Sequence, residues 1–366
     1  MFAANQRPAN RLNRLKSSNE VCSVVPSMPK DGVLIGSDVY WSAAAVANPH
    51  GCIIGGSGAG KTQTLKGIAF GMLQSFSPFV VIIDFHGDQE LPGEYCLDVN
   101  MTSDVGINPL RLNLDTEGGG PNLKAIELAA LFKRVLRLGP NQEGLMIDVL
   151  KDCYELQGIY QDNPMTWTKP APNFSHLKDE LEARSEEGDR EANKLILKLS
   201  AFFEYRIFSR AQPFNQPLTR WNLSKLPPEL QAIAADALAQ QLMNDHRLSG
   251  EWRFDNPRTV LFIDEAKELT NSKALNRIAA DGRKYGLGLW VASQRPSHIT
   301  GDVLSNTFTK IVLPVDASDL VKTSKTFNFS ADAIAALKPL EALVRFGRDA
   351  HRLNVCPFYE RQSFPL

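Results

Sequence analysis

Residues 52–62 constrain this chain more tightly than any other stretch. Three apolar residues, Cys52-Ile53-Ile54, run straight into Gly55-Gly56-Ser57-Gly58-Ala59-Gly60-Lys61-Thr62, and the turns that follow put Leu65, Ile68, Ala69 and Met72 on one helical face. A buried strand that breaks at a glycine-rich turn and restarts as a helix matches G-x-x-x-x-G-K-[ST] read from Gly55. Glycines let backbone N–H groups turn inward around a phosphate, and the helix N-terminus adds partial positive charge. In such a loop Lys61 holds β- and γ-phosphates, the Thr62 hydroxyl binds Mg²⁺, and the backbone from Gly55 to Gln63 lines the nucleotide.

The surrounding pattern predicts an α/β fold. Phe79-Val80-Val81-Ile82-Ile83 reads as a buried strand ending at Asp84, so that strand, loop, helix and strand make one βαβ unit of a parallel sheet. Between residues 121 and 250 the spacing turns helical, over Leu123 to Leu138, Glu143 to Tyr160, Phe174 to Glu187, Ala192 to Phe203 and Pro228 to His246, with Leu218 to Leu223 as one interposed strand. Apolar strands resume at Thr259 to Asp264, Leu287 to Ala292 and Phe308 to Leu313, and two more follow, Leu343 to Gly347 and Arg352 to Val355. A sheet assembled from both ends of the chain predicts one domain over residues 31–366, with a helical insertion at about 121–250. Residues 1–30, with Arg7, Arg11, Arg14 and Lys16 and no acid before Glu20, read as a flexible basic arm.

Composition excludes several classes. Lys+Arg 40 against Asp+Glu 41 leaves a net charge of -1, so no protein-wide basic field exists to coat nucleic acid. The five cysteines are odd in number and far apart, which fits reduced thiols and a cytoplasmic protein. No apolar run approaches a membrane span, and the N-terminus lacks a secretory core. His50, His176, His246, His298 and His351 lack metal-ligand spacing and read as surface or capping residues.

A nucleotide site that hydrolyses needs an acidic element on a neighbouring strand. Val260-Leu261-Phe262-Ile263-Asp264-Glu265 supplies it: Asp264 to hold Mg²⁺, through water, and Glu265 as general base. Gln294, just past the strand Leu287 to Ala292, carries a neutral amide that either bonds the attacking water or the γ-phosphate, or caps the strand end.

The ordered set GGSGAGKT, VVIIDFHGD, INPLRL, LFIDEAKEL, DGRKYGLGLWVASQRPS and DVLSNTFTKIVLPVD resembles the HerA/FtsK superfamily of ring-forming DNA-pumping ATPases, above all its HerA branch and the related conjugative type IV secretion ATPases. The motifs extend from about Asp31 to the C-terminus. The resemblance implies a RecA-like P-loop NTPase fold with a mainly parallel sheet, ATP and Mg²⁺ as cofactors, and a homo-oligomeric, hexameric ring that translocates duplex DNA with a nuclease or other effector partner. On the matching positions it gives Lys61 and Thr62 to the phosphate loop, Asp264 and Glu265 to the second acidic motif and Gln294 to the polar sensor. Asp84, His86 and Asp88 fall in the branch's D-x-H-G-acid pattern, with Asp88 where Glu is commoner; the alternatives are a catalytic role for Asp84 and a plain strand-end turn. Arg283 falls in the GRKxG segment and is expected to reach a neighbouring subunit's γ-phosphate as an arginine finger, with Lys284 assisting and Arg277 and Arg295 as the other candidates. Such a finger is worth on the order of 10³ to 10⁵ in rate.

The sequence departs from the branch at Lys267, where relatives often carry His, and before the phosphate loop, where about 50 residues are too few for the usual N-terminal barrel. Two other functions fit the same motifs. One is a conjugative or secretion ATPase moving single-stranded DNA or protein; the other is an ATP-dependent ring scaffold that regulates an effector without translocation.

Overall fold

A computed structural model describes residues 32–361 together with the backbone of Lys16–Ser17; the other residues of the basic arm lie outside the described part. In chain order the strands and helices are β1 (Lys16–Ser17), β2 (Val33–Gly36), β3 (Val39–Trp41), β4 (Gly51–Ile54), α1 (Lys61–Phe76), β5 (Phe79–Asp84) and β6 (Tyr95–Asp98), then the helices α2 (Pro121–Leu136), α3 (Pro140–Leu156), α4 (Phe174–Glu186), α5 (Arg190–Lys198) and α6 (Ser200–Tyr205). There follow β7 (Leu218–Asn222), α7 (Pro228–Leu248), β8 (Thr259–Ile263), α8 (Lys273–Asp281), β9 (Leu287–Ser293), α9 (Gly301–Asn306), β10 (Thr309–Val312), α10 (Leu320–Phe327), α11 (Ala331–Ala335), β11 (Glu341–Phe346), β12 (Asp349–Asn354) and α12 (Phe358–Arg361).

Ten strands form one sheet in the order β1-β12-β11-β10-β4-β9-β8-β5-β7-β6. From β10 to β6 every pairing is parallel, while β11 runs antiparallel to both β10 and β12. The central strands are apolar without interruption because both their faces are covered, as parallel sheets require. Alternate residues feed two cores. Cys52, Ile54, Val81, Ile83, Leu261, Ile263 and Val291 face the helical insertion, whereas Ile53, Val80, Ile82, Phe262 and Trp290 face α1 and the β2–β3 hairpin. Trp41 ties that hairpin to the sheet through an indole N–H donated to Thr309 Oγ1 at 3.0 Å.

Two elements differ from expectation. The helix read from Ala192 to Phe203 is broken at Leu199, which swings Phe202 onto Phe132 and Phe174, with ring centroids 5.7 and 6.2 Å apart. Strand β6 carries too short and too polar a pattern to be read from sequence, since only Leu97 of its four residues is buried at the sheet edge. His50 and His246 are not surface residues either: both are buried, and they bond backbone on either side of the start of β9, His50 Nδ1 accepting from Leu289 N at 3.0 Å and His246 Nδ1 lying 3.0 Å from Tyr285 O.

Candidate nucleotide site

Strands β4, β9, β8 and β5 end at one level, with Ile54 opposite Ser293, Ile263 opposite Val291 and Ile83 opposite Ile263. Ligands of open α/β sheets bind outside these carboxyl ends. The glycine loop leaves β4, Gln294 follows β9, and Asp264-Glu265 follows β8, two strand spacings or about 10 Å from β4. Thr62 and Asp264, 202 positions apart, thus converge because β9 is laid between the strands that carry the two motifs.

The loop is built as a cradle. Lys61 Nζ donates to Gly56 O at 3.0 Å, Gly55 N bonds Ser293 O and Gly56 N bonds Pro314 O, so the backbone is tied to both neighbouring strands. Gly60 has φ +102°, and a Cβ there would come 2.5 Å from Leu340 Cδ2. Leu340 is itself left-handed at φ 65°, a strained state for a bulky residue, and its N–H donates to Ala59 O. A pocket of about 140 Å³ opens over Gly56, Ser57, Gly58 and Ala59 against Pro314, Asp316 and Pro339. The Gln63 side-chain oxygen is buried with no hydrogen-bond partner.

Thr62 Oγ1 donates to Asp264 Oδ2 at 2.8 Å, which joins the two motifs directly. A hydroxyl and a carboxylate are hard oxygen donors suited to Mg²⁺, which keeps several waters and needs no dedicated protein cage. Among the described residues no cluster of three His, Cys, Asp or Glu offers a competing metal site. Burial pushes the Asp264 carboxyl above its usual range, opposed by the Thr62 hydrogen bond; a cation beside it would favour the charged form.

Glu265 is 4 % exposed and left-handed, with φ 62°. Gln294 Nε2 donates to its Oε2 at 3.1 Å, while Oε1 has no hydrogen-bond partner. Lys267 brings its ammonium to 3.9 Å from that oxygen, a loose ion pair. A buried carboxylate oriented by an amide, with one oxygen that makes no hydrogen bond, has the acceptor capacity to take a proton from water.

Asp84 is 1 % exposed and fully engaged. Its Oδ1 accepts from His86 N and Gly87 N at 3.1 and 2.7 Å, and its Oδ2 from Gln89 N at 3.1 Å and Arg220 at 3.0 Å. This geometry matches the strand-end-turn alternative. Arg220, on β7, is in turn paired with Glu94 at 2.7 Å. Sequence reasoning missed three residues that shape the site: Arg220, Leu340 and Gln89, whose amide donates to Asp264 Oδ2 at 2.7 Å. Only the last had any signal, its place just after the D-x-H-G turn.

Arg283 lies elsewhere. It sits on the 3₁₀ turn Gly282–Tyr285 before β9, at the opposite end of the strands from the glycine loop, roughly 20 Å away along a seven-residue strand. It is exposed and, among the described residues, makes no side-chain hydrogen bond or ion pair. Of the other cations considered with it, Lys284 pairs with Glu251 at 3.1 Å and Arg295 with Asp319 at 3.1 Å.

Fold and site together define a RecA-like P-loop ATPase, with a loop built for ATP and paired oxygen donors for Mg²⁺. The chain belongs to the family described as Helicase HerA, central domain, which matches residues 30–241. It is 27% identical over 337 residues to the DNA double-strand break repair helicase HerA of Sulfurisphaera tokodaii, a match covering 85% of this chain and 64% of that protein. The HerA of Sulfolobus acidocaldarius is 26% identical over 365 residues, covering 90% and 69%. The chain therefore spans about two-thirds of the length of these curated relatives. Among solved structures, VirB4 of Thermoanaerobacter pseudethanolicus shares the fold with a TM-score of 0.76 at 20% identity, covering 93% of this chain and 100% of that one. The plasmid coupling protein TrwB, solved with ADP and Mg²⁺, gives 0.61 at 18% identity over 90% of each chain. Among the described residues no helix is long and apolar enough to cross a membrane.

Proposed function

We propose that this chain hydrolyses ATP to drive translocation of duplex DNA, working as a homo-oligomeric ring, six-fold by its likeness to the HerA/FtsK superfamily, together with a nuclease or other effector protein. The observation that carries the hydrolytic part is Glu265, a buried carboxylate held by the Gln294 amide and keeping one oxygen without a hydrogen-bond partner. Lys61 and the loop amides hold the phosphates, Thr62 and Asp264 hold the metal, and Glu265 takes the proton as water attacks the γ-phosphorus and ADP leaves. Bound Mg²⁺ supplies neutralisation of the charge shared by the β- and γ-phosphates.

Arg283 supports the ring. At the far end of the sheet it reaches no phosphate of its own subunit, so a role in transfer requires a second copy. DNA as cargo rests on the relatives, which are named as double-strand break repair helicases. Steady-state ATP hydrolysis with and without linear duplex DNA, at low and moderate salt, tests the reading, with Glu265→Gln as control. Several-fold stimulation that fades with salt is the expected result. Hydrolysis indifferent to DNA would move the function to the scaffold reading, and stimulation by single strands alone to the conjugative one.

A further inference from the structure

We propose that Gln89 is a positioning residue of the metal site, a reading that rests on Asp264 as the Mg²⁺ carboxylate. Gln89 is 1 % exposed, and its amide nitrogen donates to Asp264 Oδ2 at 2.7 Å and to Asp88 Oδ1 at 3.2 Å. Both neighbours are acceptors, so the amide orientation is determined: the NH₂ faces the carboxylates, because the reversed amide would set oxygen against oxygen. Asp264 is thereby held at three points. Oδ2 accepts from Thr62 and Gln89, and Oδ1 accepts from Glu265 N at 2.9 Å. The Thr62 hydroxyl can offer a lone pair to a cation while its O–H still donates to Asp264. Gln89 and the Glu265 N–H act with it to fix the carboxylate against rotation.

Gln89 is itself clamped from behind. Its backbone N–H is bound by Asp84, Asp84 by Arg220, and Arg220 by Glu94, so a strand that interrupts the helical insertion braces the turn. Partners of metal-site ligands in this position typically contribute 10- to 100-fold in metal affinity. The chain's own sequence places an uncharged donor there, between two acids, where an acidic residue would repel both.

The test is a Mg²⁺ titration of the protein bound to a fluorescent ADP, with Mn²⁺ binding by electron paramagnetic resonance as a second readout. Gln89→Met keeps the volume and removes both donors. We expect its half-saturating Mg²⁺ to rise about 10- to 100-fold, with metal-free ADP affinity and melting temperature unchanged and turnover recovering in excess Mg²⁺. Gln89→Ala provides the same comparison if Met disturbs folding. Unaltered metal affinity in both variants, or equal weakening of ADP with and without metal, overturns the role of Gln89. Asp264→Asn separates the two levels: wild-type metal affinity in that variant overturns the underlying assignment of Asp264, whereas impairment there beside a normal Gln89→Met overturns this proposal alone.

Discussion

Glu265 combines a left-handed backbone, burial and an oxygen without a hydrogen-bond partner, each of which costs free energy in a resting fold. Such costs persist where a reaction uses them. Replacing Glu265 by Gln keeps the shape and removes the proposed base; ATP binding should be preserved while turnover falls by about 10² to 10⁴, in the range of general-base catalysis. Equal turnover in the two proteins would remove Glu265 from that role. Lys61→Ala, by contrast, should lose nucleotide binding, read by fluorescent ADP. Gly60 gives a backbone prediction of the same scale: Gly60→Ala introduces a Cβ at φ +102° within 2.5 Å of Leu340, so it should lower stability by about 1–3 kcal/mol and abolish nucleotide binding, measured by denaturant unfolding and the same ligand.

At the scale of elements, the segment that leads into β9 is gripped by two buried histidines, one beside β4 and one from α7, and by Trp252, whose ring lies against Gly286 and under Arg258 at 4.6 Å. Burial, with Arg283 nearby, pushes the His50 ring down to about 3. The unfolded chain therefore binds a proton near pH 6.5 that the folded chain refuses until about pH 3. Stability from His50 is complete above pH 6.5 and is lost as pH falls toward 3, at about 1.4 kcal/mol per unit. His50→Asn offers Leu289 N an acceptor that does not titrate, so its stability should decline less between pH 6.5 and 5, by about 2 kcal/mol in urea unfolding. Parallel pH profiles for the two proteins would show that His50 is not buried neutral. The β5–β7–β8 region follows the same logic, since the Asp84–Arg220 pair is buried and removing one partner leaves an unpaired charge.

For the whole molecule, the decisive fact is that the two ends of the sheet carry different equipment. The glycine loop, Asp264, Glu265 and Gln294 gather at one end, and Arg283 stands at the other. If rings form, Arg283→Ala should bind ATP normally and lose hydrolysis, and mixing it with Lys61→Ala should restore part of the activity at interfaces that join one intact loop to one intact Arg283. Absence of recovery between exchanging subunits would argue against action in trans. The parallel sheet, the helix after Lys61 and the Asp264-Glu265 motif were all legible in the sequence, because buried strands and glycine turns impose local patterns that no tertiary context needs to supply. The roles of Gln89, Arg220 and Leu340 were not, since each acts on residues distant in the chain and none has a local pattern of its own. Likewise Asp84 reads identically as a catalytic acid or a turn anchor until its four donors are counted. Sequence determined the chemistry available, through residue types at strand ends; only the tertiary structure decided which of those groups meet, because strand order, unlike periodicity, is set by packing across the whole sheet.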